Sequence, residues 1–303
     1  MHTNDEKKIR AAILEAFPEF EGATMEFNHR GWTSVIVDID GAYICKFPRN
    51  EEKYEHLKKE RKLIELLQEQ MDDYEFPERT HINANIPFFI HKKLQGEHFP
   101  LEAYQNATKE QQDTFKESFV DFLTKLHELP PDKFQEFVPV KDEILPDYSE
   151  LDPILEQDFS EEESAEAKNL LRAFNNAAKD RRQVVGHYDM HGYNFVVDPV
   201  TKKITGFFDF DEFAIGSPEF DLREVPLHYG ENVGSEIIDL YNQKAKHPVD
   251  LNDLQRVHYG WSIFEYVRTK KRLDGDLKDV DKIDMNEYQE EIKQLLKNAK
   301  MRQ

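Results

Sequence analysis

Cysteine is nearly missing from this sequence, since Cys45 is the only one among 303 residues. A single thiol excludes intramolecular disulfides and cysteine-based zinc clusters, and it is typical of proteins in a reducing compartment. A continuous apolar run is also missing from residues 1–17, which form a charged, amphipathic segment. Such a segment predicts neither a signal peptide nor a membrane span. We therefore expect a cytoplasmic protein with no membrane partner.

An excess of positive charge is a further absence: 40 lysine and arginine residues stand against 61 aspartate and glutamate residues, for a formal net charge of −21. Broad binding of nucleic acid needs a basic surface that neutralises phosphates, so we expect no nucleic-acid partner. An acidic surface attracts cations and would suit a polycationic ligand. Acidic side chains that only keep a protein soluble give the same composition.

Glycine and proline are sparse, at 12 and 14 residues, whereas 39% of the residues are hydrophobic and 12% aromatic. This composition excludes disordered and fibrous proteins and predicts a globular chain. Alternating or β-branched residues predict strands at 23–28, 34–39, 43–47, 80–83 and 87–91. An apolar stripe at helical spacing predicts a helix over 51–70.

From residue 100 onward the pattern is mainly helical, with short strands again between 183 and 208. We predict an α+β, bilobal fold with a small β-rich lobe at 1–95 and a larger, mostly helical lobe at 96–303. Clefts between lobes are common ligand sites, so a functional site is expected where the two parts meet. No feature of the sequence indicates an oligomeric state.

The densest group of chemically capable side chains is HYDMHGYN at 187–194, followed by FDFD at 208–211. Phosphoryl transfer needs a carboxylate that accepts the hydroxyl proton and oxygen ligands that hold Mg²⁺ on the phosphates. Asp189 is the candidate base, and Asn194 and Asp209 are the candidate Mg²⁺ ligands. A predicted hairpin between the two ligands would bring them to one edge.

A nucleotide site also needs a cation near the phosphates. Lys46 lies in a predicted apolar strand, and Glu60 lies on the inward stripe of the following predicted helix, where it could pair with the lysine. Each residue alone is better explained as a surface charge on an amphipathic element. Together with Asp189, Asn194 and Asp209 in this order, they favour a kinase.

The same residues allow other interpretations. His187, Asp189 and His191 alternate along an extended segment, as the metal ligands of a metallohydrolase would. That interpretation leaves Asn194 and Asp209 without a role, and a polar loop without chemistry is a further alternative. A histidine in such a loop usually braces the backbone, so we expect His187 to support the site structurally.

These motifs resemble those of the aminoglycoside phosphotransferase and choline kinase-like superfamily, which are small-molecule relatives of protein kinases. The family's H-x-D-x-x-x-x-N loop is similar to HYDMHGYN, and its I-D-F…G-x-P-x-x-D-L run is similar to FFDFDEFAIGSPEFDL. Its strand-lysine motif is similar to ICKFP at 44–48, and its segment after the hinge to LQGE at 94–97. The resemblance covers residues 24 to 272 and implies a protein-kinase-like fold.

Residue by residue, the resemblance implies that Asp189 is the catalytic base and that Asn194 and Asp209 bind Mg²⁺. It implies that Lys46 contacts the phosphates of ATP or GTP and that Glu60 is its ion-pair partner. Backbone groups of the hinge decide between the two nucleotides, so the donor is left as ATP or GTP.

The resemblance also implies that Asp221 supports the Asp189 loop and that residues 28–34 form a turn over the phosphates. This turn contains one glycine, Gly31, so few backbone donors are expected there, and Ser34 is the expected phosphate contact. The glycine that follows the Asp-Phe pair in protein kinases is Asp211 here. Only about ten residues separate it from Asp221, which leaves no room for a long activation loop, and a small-molecule acceptor is therefore expected.

The acceptor itself is open at this stage. Net acidity and the resemblance favour an aminoglycoside antibiotic, whose ammonium groups would need acids such as Glu231, Glu236 or Glu265. A basic cluster follows these acids and would disfavour a polycation if it faced the cleft. Its members are Arg268, Lys270, Lys271 and Arg272. We expect an Mg²⁺-dependent small-molecule O-phosphotransferase; another hydroxylated metabolite or antibiotic as acceptor, or a catalytically silent pseudokinase, are the alternatives.

Overall fold

The computed structural model describes residues 5–29, 33–141, 151–178, 181–274 and 284–301. Its first part is built on a five-stranded antiparallel sheet with strand order β1-β2-β3-β5-β4. The strands are β1 (Met25–Asn28), β2 (Ser34–Ile39), β3 (Tyr43–Pro48), β4 (Thr80–Ile82) and β5 (Phe88–Lys92). Asp40 and Gly41 both have positive φ angles, 52° and 66°, between β2 and β3. This left-handed backbone is what the predicted Asp-Gly hairpin turn requires.

The two faces of this sheet have different neighbours. Cys45 and Phe47 of β3 are completely buried on one face, where they belong to the same core as Ile9 and Ile13 of helix α1 (Glu6–Ala16). Because side chains alternate along a strand, Lys46 points to the opposite face. The register pairs it with Ile36 of β2, so a charged residue and its apolar neighbours share a face that the core leaves open.

Helix α2 (Glu51–Gln70) follows the sheet's third strand. The Asn50 side chain accepts a hydrogen bond from the backbone N–H of Lys53 and caps the helix. Its buried residues recur every three or four positions, as predicted, and they are Leu57, Glu60, Leu63, Ile64 and Leu67. Glu60 is the only charged residue among them, so its carboxylate is carried into the interior by an otherwise apolar stripe.

The remainder of the chain is mainly helical, as predicted. Its helices are α3 (Leu101–Asn106), α4 (Lys109–His127), α5 (Asp152–Asp158), α6 (Glu161–Ala178), α7 (Pro218–Leu222), α8 (Glu224–Lys244), α9 (Leu251–Asp274) and α10 (Met285–Met301). Helix α4 starts with a capping box of Thr108 and Gln111, and its stripe of phenylalanines lies in the largest core cluster. No helix within the described ranges is long and apolar enough to cross a membrane.

Two small sheets lie among these helices and present the loops of interest. Strands β6 (Val184–Gly186) and β9 (Ala214–Gly216) form one pair, and β7 (Phe195–Val197) and β8 (Ile204–Phe207) form the other. Strand β9 was not predicted, because two of its three residues, Ala214 and Gly216, are of types that are depleted in strands. The α+β fold with a small antiparallel sheet and a larger helical part is confirmed. The division at residue 95 remains a proposal.

Candidate active site

A cavity of about 720 Å³ lies between the open face of the first sheet and the loops of the two small sheets. Ile36, Ile44 and Lys46 line it from the sheet, and Asn194 and Asp209 line it from the loops. Apolar walls with a few convergent polar groups are typical of small-molecule sites. Four of the predicted site residues therefore meet at this cavity, namely Ser34, Lys46, Asn194 and Asp209.

The Asp189 loop, residues 187–194, is held by hydrogen bonds to a buried carboxylate. Asp221 Oδ2 accepts hydrogen bonds from the His187 backbone N–H (3.0 Å) and His127 Nε2 (3.0 Å), and Oδ1 accepts one from the Tyr188 backbone N–H (2.7 Å). Tyr188 has a positive φ of 60°, a strained conformation that such bonds can hold. Burial alone would raise the pKa of Asp221, but the bonded histidine and backbone donors outweigh it and lower that pKa.

His127 was not predicted as part of the site. Its Nδ1 lies 2.8 Å from the hydroxyl of Tyr241, so a buried chain of side chains runs from α8 through α4 to the loop. His187 is also completely buried, with its ring against those of Phe210 and Phe213. This position suits the structural role expected for His187.

Asp189 and Asn194 are joined directly. The Asn194 side-chain amide donates to the backbone oxygen of Asp189 (2.8 Å) and to its Oδ2 (2.7 Å). The amide nitrogen therefore faces Asp189, and the amide oxygen is directed away from it. Asp189 Oδ2 is engaged by this bond, which makes Oδ1 the oxygen better placed for a proton.

Asp209 follows strand β8 and is brought beside Asn194 by a backbone hydrogen bond from Phe208 N–H to the Asn194 oxygen (3.0 Å). Its φ is 62°, again a left-handed conformation at a non-glycine residue. Burial raises the pKa of the Asp209 carboxyl, and Lys46 opposes that increase. A carboxylate whose charge is disfavoured by burial is stabilised by a nearby cation. With the amide oxygen of Asn194 it offers the hard oxygen ligands that Mg²⁺ prefers, so these residues fit that ion.

Glu60 lies between two cations. Its Oε1 is 3.9 Å from Lys46 Nζ, and its Oε2 contacts Arg79 Nη1. Both Glu60 and Arg79 are buried. Burial raises the pKa of Glu60, but the charges of Arg79 and Lys46 prevail and lower it. Arg79 was missed, because it stands in a polar stretch before β4 and no spacing in the sequence connects it to Glu60.

Asp211 is a further unpredicted member of the site. Its Oδ2 accepts a hydrogen bond from Thr33 Oγ1 (3.1 Å), and its Oδ1 lies 3.3 Å from His56 Nε2. Burial would raise the pKa of Asp211, but the His56 side chain, Lys46 and Thr33 lower it to about 2. Ser34, the predicted phosphate contact, lines the cavity with its hydroxyl buried, and Gly31 lies outside the described residues.

The metallohydrolase interpretation required His187, Asp189 and His191 to converge. Among the described residues, the group of three whose ligand atoms come within 4.8 Å of one another is instead His56, Glu60 and Asp211. Lys46 and Arg79 already supply Glu60 with positive charge, so ion pairing explains that group. His191 Nε2 lies 3.6 Å from Asp189 Oδ2, whereas His187 is buried among phenylalanine rings.

Two members of the predicted basic cluster are paired with acids, one on the same helix and one on α5. Arg268 Nε donates to Glu265 Oε2 at 3.0 Å, and Lys270 is bonded to Asp158. Of the candidate acids, Glu236 is paired with Lys116 on α4. An acid that was not predicted, Glu224, is connected to the Asp189 loop through His228. Its carboxylate is 3.2 Å from His228 Nε2, and the His228 ring lies 5.3 Å from that of His191.

Comparison with known proteins identifies similar sequences and folds. The model of the APH family, described as a phosphotransferase enzyme family, matches residues 24–265. No curated protein matches the sequence.

Three solved structures illustrate the similarity in fold. The GDP complex of wild-type aminoglycoside 2'-phosphotransferase-IIIa has a TM-score of 0.72 at 16% identity, covering 98% of this chain and 100% of that one. The streptomycin-ATP-APH(2")-IIa ternary complex has a TM-score of 0.64 at 22% identity, covering 86% and 93%. Macrolide 2'-phosphotransferase MphH from Brachybacterium faecium has a TM-score of 0.62 at 13% identity, covering 94% and 97%.

Proposed function

The chain belongs to the APH phosphotransferase enzyme family, and from this premise we propose that it moves the γ-phosphoryl group of ATP or GTP to a hydroxyl of a small molecule. One observation carries the proposal: a single cavity is lined by Lys46, Asn194 and Asp209, and Asp189 is hydrogen-bonded to Asn194 at its edge. These are the side-chain types that phosphoryl transfer requires.

In the proposed reaction, Asp189 Oδ1 accepts the proton of the acceptor hydroxyl. The hydroxyl oxygen forms a bond to the γ-phosphorus while the bond from that phosphorus to the β–γ bridging oxygen breaks, and a nucleoside diphosphate leaves. Asn194 holds the carboxylate of Asp189 in place through Oδ2, so its remaining oxygen is oriented before the acceptor binds. Most of the catalysis then comes from positioning and charge stabilisation.

The phosphates would be bound by Lys46, whose ammonium group is directed by Glu60. Arg79 makes this arrangement more rigid than a simple lysine–glutamate pair, because it holds the buried carboxylate from the other side. Asn194 and Asp209 would hold Mg²⁺, which when bound would offset the negative charge of the β- and γ-phosphates. His187 and Asp221 support the Asp189 loop without contacting a substrate.

An aminoglycoside is the proposed acceptor. The net charge of −21 favours a polycation, and the bonds of Arg268 and Lys270 to Glu265 and Asp158 reduce the opposing basic charge. One of the similar structures is named as an aminoglycoside 2'-phosphotransferase, and another is a ternary complex with streptomycin and ATP. A macrolide is the second candidate, because a macrolide 2'-phosphotransferase shares the fold over 94% of this chain.

The test is a nucleotide-consumption assay on the purified protein with ATP and GTP, with Mg²⁺ present or chelated. The acceptor panel contains kanamycin, gentamicin, macrolides, amino alcohols and sugars. Asp189→Asn should lower turnover by roughly 10²–10⁴-fold while nucleotide affinity stays near that of the wild type. Turnover with only a neutral or anionic acceptor would reject the aminoglycoside, and nucleotide binding without turnover on any acceptor would favour the pseudokinase.

A further inference from the structure

Asp211 occupies a position that no part of the proposed chemistry uses. It lies two residues after Asp209 in the sequence and lines the same cavity, yet its carboxylate points to two other segments. Thr33 Oγ1 donates to its Oδ2 at 3.1 Å, and His56 Nε2 lies 3.3 Å from its Oδ1. Both of its oxygens are thus directed at side chains of the first sheet and its helix.

Each of these contacts holds a segment that carries a proposed site residue. Thr33 directly precedes Ser34, the first residue of β2, and both residues line the cavity. His56 lies one helical turn before Glu60 on α2, so residues on the same face of this helix reach Asp211 and Lys46. One carboxylate therefore joins the start of β2, α2 and the Asp209 loop.

Asp211 is far from both partners in the sequence: 178 residues separate it from Thr33. The contacts join the sheet side of the cavity to the loop side. Contacts that fix both walls in the absence of a ligand lower the ordering cost that binding would otherwise carry.

We propose that Asp211 is a positioning residue that holds the start of β2 and helix α2 in the nucleotide-binding arrangement, through its contacts with Thr33 and His56. The proposal rests on the proposed nucleotide-dependent function of the same cavity. Asp211 acts through its two partners and does not bind Mg²⁺.

The test measures nucleotide affinity by calorimetry without any acceptor, with Mg²⁺ or with a chelator. Asp211→Ala should weaken binding of the Mg-nucleotide by roughly 10-fold, as expected for the loss of contacts worth about one or two net hydrogen bonds. Asp211→Asn keeps an acceptor for Thr33 and should recover most of that loss. Asp121→Ala, which removes a surface carboxylate paired with Lys244, is the matched control and should bind like the wild type.

Thr33→Val covers the case in which Asp211→Ala fails to fold, because it removes only a hydroxyl. We expect it to weaken nucleotide binding by roughly 3-fold and to have little further effect in the Asp211→Ala background. In steady-state assays, the KM for nucleotide should rise in these variants while the KM for the acceptor changes less than about 2-fold.

Three outcomes overturn the proposal. Equal nucleotide affinity in wild type, Asp211→Ala and Thr33→Val removes the positioning role and leaves the proposed function intact. Loss of the Mg²⁺ enhancement of binding in Asp211→Ala, as expected for Asp209→Ala, makes Asp211 a metal ligand instead. A wild-type protein that binds no Mg-nucleotide removes both the positioning role and the proposed function.

Discussion

Replacing Asp221 by alanine should destabilise the protein strongly, because this carboxylate is buried and accepts three hydrogen bonds. Hydrogen bonds to a charged group contribute about 1.5–3 kcal/mol each, and removing one partner of a buried charged pair costs about 3–5 kcal/mol. We expect a loss of about 3–5 kcal/mol for Asp221→Ala, a large part of the roughly 5–15 kcal/mol typical of native proteins.

The asparagine variant separates charge from shape. In Asp221→Asn the side-chain amide nitrogen replaces one carboxylate oxygen. It must then face a backbone N–H or the ring of His127, so that two hydrogen-bond donors meet. We expect a loss of about 1–3 kcal/mol, the cost of one unsatisfied buried group. Asp121→Ala on the surface provides the control, with an expected change within about 0.5 kcal/mol.

The assay is denaturation by urea at several pH values, combined with hydrogen exchange at the His187 and Tyr188 amides. The folded-state pKa of Asp221 is lowered, so its stabilising contribution is present above the unfolded pKa of about 3.9 and is lost as pH falls through the folded value. The difference between wild type and Asp221→Ala should therefore be largest near neutral pH and shrink in acid. An unchanged midpoint, or unchanged exchange at both amides, would refute the role given to Asp221.

Further expected outcomes concern the cavity. Glu60→Gln leaves the buried Arg79 without a carboxylate and should cost about 3–5 kcal/mol in a denaturant titration, while an unchanged midpoint would contradict the pairing. Nucleotide should protect the wild type against thermal unfolding more strongly with Mg²⁺ than with chelator, and Asp209→Ala should abolish this difference. A difference that persists in the variant would count against Asp209 as a Mg²⁺ ligand. Gly192→Ala places a Cβ 2.4 Å from the backbone oxygen of Phe99, which should displace the Asp189 loop and reduce kcat. A variant with the kcat of the wild type would disprove this. The KM for an aminoglycoside should rise with salt because screening weakens charge attraction, and a KM independent of salt would argue against a polycation.

Much of the first part of the fold was predictable because its signals are local. The Asp40-Gly41 turn, the alternation around Lys46 and the apolar stripe that includes Glu60 are each contained within a few residues. The same holds for Asp189 and Asn194, whose spacing along one loop fits a side-chain hydrogen bond. Periodicity and turn chemistry report such short-range relations directly.

Partners that lie far away in the sequence were not predictable. Arg79 reaches Glu60 from a polar segment with no periodicity, and His127 meets Asp221 across 94 residues. A histidine at the end of an amphipathic helix is common, so His127 alone carries no signal. The contact of Asp211 with Thr33 was hidden for the same reason, although the departure from glycine at that position had marked Asp211 as unusual.

The reactivity of Cys45 can report opening of the first sheet. Its thiol is completely buried in β3 beside Lys46, and burial raises its pKa to about 12. Because only an exposed thiolate reacts rapidly, alkylation of this thiol in the native protein requires the first sheet to open. The labelling rate then measures the free energy of that opening when reclosing is fast, and a bound nucleotide that bridges sheet and loops should slow it. As the sequence has no other cysteine, this measurement needs no engineered background.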